Sequence, residues 1–263
     1  MPQQAAVVTA PAATGRGHRV DRWFYINVAL VAILLCVVGF GPSLIDQSRR
    51  NAPLTPLAMA HGVISGALLL LFLTQVTLAA TRRIALHRRV GLVGPVLAVA
   101  MIVVGFVVSI EEIRRGYDLS GDLARVFPPT PFESFVLLVP LAGFVNFGVL
   151  VGAGLWYRHR PDIHKRFMLL AVVPLAAEPL PHLVGHLIGS WPAAQGIAGG
   201  IPAGGILAIP LMSVSAIYDR ASTGRIHPVS LWAPTLLLAW QIVLMVVVFP
   251  SAAWRELSTW LIR

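Results

Sequence analysis

Charge is what this chain lacks most. Asp, Glu, Lys and Arg make up 12% of its 263 residues, about half the share that a soluble domain carries to keep its surface in water. That shortage excludes an ordinary water-facing fold, and several apolar runs of about 18 residues or more place the chain in a bilayer instead. Cysteine is nearly absent too. Cys36 stands alone, which excludes a disulfide or a cysteine-built metal site within one chain. Acids are outnumbered by bases, 11 against 20, for a net charge of +9. The bases fall in short clusters between apolar runs rather than in one basic domain, so nucleic acid is not the expected partner.

What is present is length of apolar sequence. The first run is too long for a signal-peptide core and has no small-residue cleavage site at its end, so it reads as a retained span. Spans are predicted near 24–44, 57–80, 90–110, 132–156, 166–188, 197–217 and 230–250, each long enough to cross the hydrocarbon at helical rise. The fold class is therefore all-α, a polytopic bundle of seven transmembrane helices. Residues 1–22 form an Ala/Pro/Gly-rich tail without apolar periodicity, expected to be disordered and cytoplasmic. Residues 23–250 form the membrane domain. In 251–263, Trp254, Leu257 and Leu261 share one helical face, as in an amphipathic helix lying on the outer surface.

Alternate threading from an inside N-terminus puts thirteen of the twenty Lys and Arg residues on the inner side with three acids, and seven on the outer side with seven acids. This is the direction of the positive-inside rule. It accounts for the net charge and makes anionic lipid the plain partner of the basic face. Trp23, Tyr25, Trp156, Tyr157 and Trp232 fall near inner boundaries and Trp191 near an outer one, as an aromatic belt requires. In span six, Gly196, Gly200 and Gly204 recur at four-residue spacing, a stripe that lets helix backbones approach closely in lipid.

The stretch EPLPHLVGH carries the most chemistry. On a regular helix Glu178, His182 and His186 line one face over two turns. Ionisable groups are costly in a bilayer unless they face protein or a cavity, so an inward-facing site is expected. His61 in span two lies at matched depth. Imidazoles from two helices suit the axial positions of haem b, and three nitrogens with a carboxylate suit a divalent transition metal. Glu178 with its histidines also suits the protonatable site of a proton-coupled transporter. The bland alternative is that these histidines only hydrogen-bond, in a non-enzymatic assembly or helper subunit, and a catalytic residue is not identifiable. An intramembrane zinc hydrolase would use Glu178 as base or ligand, but the further nucleophile or acid it needs is not evident.

A second constellation falls at the inner face. TRRIALHRR, YRHRPDIHKR and YDRASTGRIHP bring His87, His164 and His227 to one surface, with His159, Asp162 and Asp219 close by. His87 and His164 would supply a second bis-imidazole site; the plainer reading is a solvated basic collar, with Asp219 paired to Arg220 or Arg225. HRRVGLVGPVLA from His87 and HKRFMLLAVVPL from His164 share a weak internal echo that would relate two hairpins. Asn27, Gln75, Asn146 and Gln241 are expected to serve only as interhelical hydrogen bonds.

WFY opening span one, LHRRVG after span two, HKRFML before span five and GRIHP before span seven together resemble a group of uncharacterised bacterial multi-pass membrane proteins. The resemblance spans nearly the whole chain and implies a bacterial inner (plasma) membrane location, with His61, His87, His164 and His227 as recurring positions. It implies no activity. A more distant likeness to cytochrome b561-type proteins rests on paired histidines at two depths and implies two haems, which that family binds in a core of fewer spans. This chain departs from that family in placing His87 and His164 at helix ends. A haem- or metal-binding redox protein is the leading reading of the histidines, with a homo-oligomer or a membrane redox partner as the protein partner.

Overall fold

The computed structural model describes residues 15–46, 53–117, 129–180, 182–183 and 200–263, with side chains throughout except at 15–22, 129–133, 174 and 200–210. Every regular element among these residues is helical. They are α1 (Gly15–Ile45), α2 (Pro56–Ala80), α3 (Ile84–Gly91), α4 (Val93–Arg115), α5 (Pro129–Trp156), α6 (Pro161–Ala177), α7 (Gly200–Thr223), α8 (Pro228–Val243, continued by a π-turn over Leu244–Val248) and α9 (Ala252–Ile262). Five helical stretches among the described residues are long and apolar enough to cross a membrane: Trp23–Ile45, Pro56–Ala80, Ile84–Arg115, Ser134–Trp156 and Pro228–Val248. The protein is a multi-pass membrane protein built of helices.

Helix boundaries follow local signals. Thr55 caps α2 by accepting from the Ala58 N–H at 3.0 Å, with Pro56 in the first turn where its missing donor costs nothing. His227 does the same for α8: its Nδ1 accepts from the Val229 N–H at 3.2 Å, and Pro228 follows. Ser251 caps α9 through the Trp254 N–H at 3.1 Å. Helix α4 stops at Gly116, whose φ of 92° is the left-handed conformation that closes a helix C-terminus.

Three boundaries differ from the sequence expectation. Helix α1 begins at Gly15, so Arg16, Arg19 and Arg22 sit on a helix rather than in a structureless tail. The third span, expected at 90–110, belongs to a longer stretch, Ile84–Arg115, jointed at Leu92. The fifth, expected at 166–188, opens as α6 and turns at Glu178 and Pro179 after Ala177, where the prolines interrupt the helical ladder.

Packing closes a ring in which α1 meets α2, α2 meets α4, α4 meets α5, α5 meets α6 and α6 returns to α1, with α2 and α6 also in contact. The shared core holds Ala29, Leu69, Phe72, Met101, Phe144, Leu150, Leu169 and Leu170. Helix α7 leans on α6 and α1, and α8 on α7 and α6. Helix α9 rests on α4 and α5 through Trp254, whose indole N–H donates to the Ser134 carbonyl at 3.1 Å. Exposed apolar stripes face outward, such as Val96, Val99, Val103 and Val107 on α4 and Leu231, Trp232 and Leu236 on α8, as helices in lipid require.

Two close approaches depend on glycine. A side chain at Gly105 would fall 2.3 Å from the Phe144 ring, and one at Gly39 would fall 2.5 Å from the Pro179 Cβ and 2.7 Å from its carbonyl oxygen. The second contact seats the α6 turn directly on the backbone of α1.

Candidate functional site

The start of α1, the α2–α3 and α5–α6 connections, the end of α7 and the start of α8 meet at one end of the bundle, the basic end. Phe24 stacks on Tyr218 there, with ring centroids 3.8 Å apart. His87, on α3, has its Nδ1 3.2 Å from the carbonyl oxygen of Gln75 in α2. His164, on α6, has its Nδ1 2.7 Å from the carbonyl oxygen of Gly154 in α5. Each imidazole is thus tied back to the helix before it. The two half-buried rings meet edge to face, 6.4 Å between centroids and 87° between planes. The two hairpins present their histidines in the same way, which gives the faint sequence echo between them a structural counterpart.

A carbonyl can only accept, so the bond to Gly154 fixes His164 with its proton on Nδ1 and a lone pair on Nε2. Burial lowers the His164 imidazole below its ordinary value; the bond to Gly154 opposes this and the neighbouring His87 adds to it. His87 has a second neighbour, the Gln75 side chain. In the orientation that satisfies its surroundings, the Gln75 amide nitrogen lies 2.6 Å from His87 Nδ1 and 3.0 Å from the His87 carbonyl oxygen, while its oxygen accepts from the Gly91 N–H at 3.0 Å.

The other residues of the basic end form a separate network. Arg166, expected in the solvated collar, is buried instead. Its guanidinium ion-pairs with Asp219, donates to the Ser230 hydroxyl at 3.0 Å and also reaches the Asp162 carbonyl. Ser230 donates to Asp219 Oδ2 at 2.6 Å, the Ser215 hydroxyl lies 2.8 Å from Ser230, and the His227 N–H donates to Asp219 at 3.2 Å. Asp219 therefore does not pair with Arg220 or Arg225; Arg220 reaches the Gly224 carbonyl. Burial alone would raise the Asp219 carboxyl, but the bonds from Arg166, Ser230 and His227 and the arginine charge together hold it below the usual carboxylate range. His227 joins this network through Asp162, 3.4 Å from its Nε2, and His159 takes a bond from Arg158 at 3.3 Å. The histidines of the basic end thus divide: His87 and His164 form a pair, His227 caps α8 and meets Asp162, and His159 takes its bond from Arg158.

At the opposite end, the His61 ring stands edge-on to Phe144 of α5, 5.9 Å away, and its Nδ1 is buried with no hydrogen-bond partner among the described residues. Ser65, one turn on, donates to the His61 carbonyl at 2.8 Å rather than to its ring. The His182 ring packs on Phe40 of α1, 4.8 Å between centroids. Because α6 turns at Glu178, the regular helical face expected for Glu178 and His182 is interrupted between them. His186 lies outside the described residues. Among the described residues no group of three or more His, Cys, Asp or Glu is placed to hold a metal.

Sequence reasoning passed over two features here. Glu112 is fully buried at the end of α4, taking two bonds from Arg115 at 2.8 Å each and one from Thr55 at 3.1 Å. The Arg166–Asp219 pair was legible only as two charges one or two turns inside their helices. A carboxylate and a guanidinium both set just inside apolar runs is the signal that would have found it. No family model, curated protein or solved structure matches the chain.

Proposed function

We propose that the protein is a seven-span bacterial inner-membrane redox protein whose basic, cytoplasmic end carries a bis-imidazole haem centre held by His87 and His164. The observation that carries this reading is the 6.4 Å between the two ring centres, from different hairpins, with each Nδ1 beside a backbone carbonyl. His87 and His164, one from each hairpin, would hold the haem iron through their ring nitrogens. A bare zinc ion asks for about four protein ligands, whereas haem iron asks for two at most. The pair therefore suits haem better than an isolated metal. Bound haem would supply one-electron redox chemistry.

The chain's own residues account for the rest. The Gly154 carbonyl orients the His164 ring and makes its outer nitrogen a better donor to a metal, and the Gln75 carbonyl, 3.2 Å from His87 Nδ1, would do the same for His87 when that nitrogen carries the proton. The Arg166–Asp219 network fixes α6, and with it His164, two residues before Arg166. His61 supports a second position at the opposite end of the bundle, because a buried ring nitrogen without a partner among the described residues is costly unless something completes it. His182 or His186 with Glu178 would complete that position, for haem or for a divalent metal.

Purification in mild detergent from haem-replete cells, followed by a visible spectrum and metal analysis, tests the reading. A Soret band that His87→Ala and His164→Ala each abolish is the expected result. A colourless preparation without metal overturns it in favour of an assembly subunit whose histidines only hydrogen-bond.

A further inference from the structure

Gln75 does more than bridge two helices. Its side-chain amide lies along the last turn of α3: the amide nitrogen donates to the His87 carbonyl at 3.0 Å and the amide oxygen accepts from the Gly91 N–H at 3.0 Å. Those two groups are four residues apart, ladder partners in a helix that runs to Gly91, and the amide bridges them from the side. The bridge sits just before the joint at Leu92, where α3 ends and α4 starts. The same amide nitrogen lies 2.6 Å from His87 Nδ1. Turning the amide over would place its oxygen there, but would set oxygen against the His87 carbonyl and nitrogen against the Gly91 N–H. The two backbone contacts therefore decide the orientation, and the orientation decides what His87 can do.

We infer that Gln75 is a positioning residue that sets which nitrogen of His87 carries the proton, and thereby controls whether His87 can ligate a metal. This rests on the haem reading above and deepens it. With the amide N–H donating to Nδ1, the neutral ring carries its proton on Nε2, the nitrogen that a metal would need. His164 is held in the opposite state by Gly154, with Nε2 open. In the unliganded protein the pair is thus half-armed. Binding at His87 requires the amide to release Nδ1, so that its N–H can donate to the Gln75 backbone carbonyl at 3.2 Å. Gln75 then acts as a brake on ligation, set by its grip on the α3 backbone.

This gives a result that a merely structural glutamine would not. In Gln75→Leu the side-chain donor is gone while the backbone carbonyl remains, and in Gln75→Glu an ionised carboxylate can only accept. Both variants free Nε2. Ferric haem titrated into the purified, haem-free full-length protein in detergent is expected to bind each variant about tenfold more tightly than the parent, the ratio that one net hydrogen bond provides. A structural role predicts weaker binding in both, and that outcome overturns the inference.

The second measurement needs no cofactor. Nitrogen-15 spectra of histidine-labelled apoprotein, assigned with His87→Ala, should show the His87 proton on Nε2 in the parent and on Nδ1 in both variants. A parent spectrum with the proton on Nδ1 overturns the inference whatever haem does. If the proton moves as expected but neither parent nor variants take up haem, the redox reading fails and control of ligation fails with it, while the proton assignment stands.

Discussion

The two ends of the bundle each bury a carboxylate against an arginine, and they do it in different ways. At the opposite end the pair is local: Glu112 and Arg115 are three residues apart on α4, and the arginine remains partly exposed. Among the described residues, Glu112 accepts from Thr55 and Arg115 donates to the Pro53 carbonyl, fastening the chain that leads into α2. At the basic end Arg166 and Asp219 lie 53 residues apart, both nearly sealed from solvent, and Ser230 extends the network to a third helix. A local pair trims one helix end. A non-local one decides which helices are neighbours, and here it bolts α7 and α8, which stand outside the ring, to α6.

The largest test of that contrast is removal of one partner. Asp219→Ala or Arg166→Ala leaves a buried charge alone and is expected to destabilise by about 3–5 kcal/mol, read by thermal or denaturant unfolding in detergent. The double change Arg166→Met with Asp219→Leu should recover most of the loss; no recovery would mean that the ion pair is not what joins these helices. Acid should act on the same pair. Asp219 is held below its ordinary value, so its stabilisation is complete above the normal carboxylate range, near pH 4, and is lost as pH falls through the lower folded value. An acid-unfolding profile should lose that final step in the double variant.

Gly39→Ala probes a contact without charge. The added methyl meets Pro179 backbone and ring rather than a flexible side chain tip, and about 1–3 kcal/mol of destabilisation is expected from the overpacking. A methyl tolerated without loss would show that α1 and the α6 turn do not sit this close. Glu112→Gln keeps the shape and a hydrogen bond to Thr55 while removing the charge that Arg115 meets. A loss of about 1–2 kcal/mol is expected, clearly below the basic-end value; an equal loss would erase the contrast. Smallest is Asp162→Asn, because the Asp162 side chain is 61% exposed beside His227. The change should fall within about 0.5 kcal/mol.

The membrane character, the helical class and five spans were legible because they rest on length and composition, which a bilayer reads almost directly. The Glu178 stretch was harder. The shared face of Glu178, His182 and His186 was drawn with regular helical spacing, although Pro179 and Pro181 within it point to a kink, and the turn after Ala177 interrupts that face. Topology groups the histidines of the basic end but does not sort them: that His87 meets His164 while His227 caps α8 depends on which carbonyls and carboxylates lie within reach. Gln75 was read as a generic interhelical bond, and its placement along the last turn of α3 is set by three-dimensional contacts that spacing does not encode.

The distance along the chain between Arg166 and Asp219 also sets a delay. At a synthesis rate of about 5–20 residues per second, the 53 residues between them take several seconds to emerge. During that interval the newly inserted guanidinium has no carboxylate to meet from α7. The interface, with its phosphates and water, is the natural waiting place for such a group, so α6 should settle at full depth only when the next hairpin arrives. Late capture of an early charge would give insertion of this protein an order that its finished shape conceals.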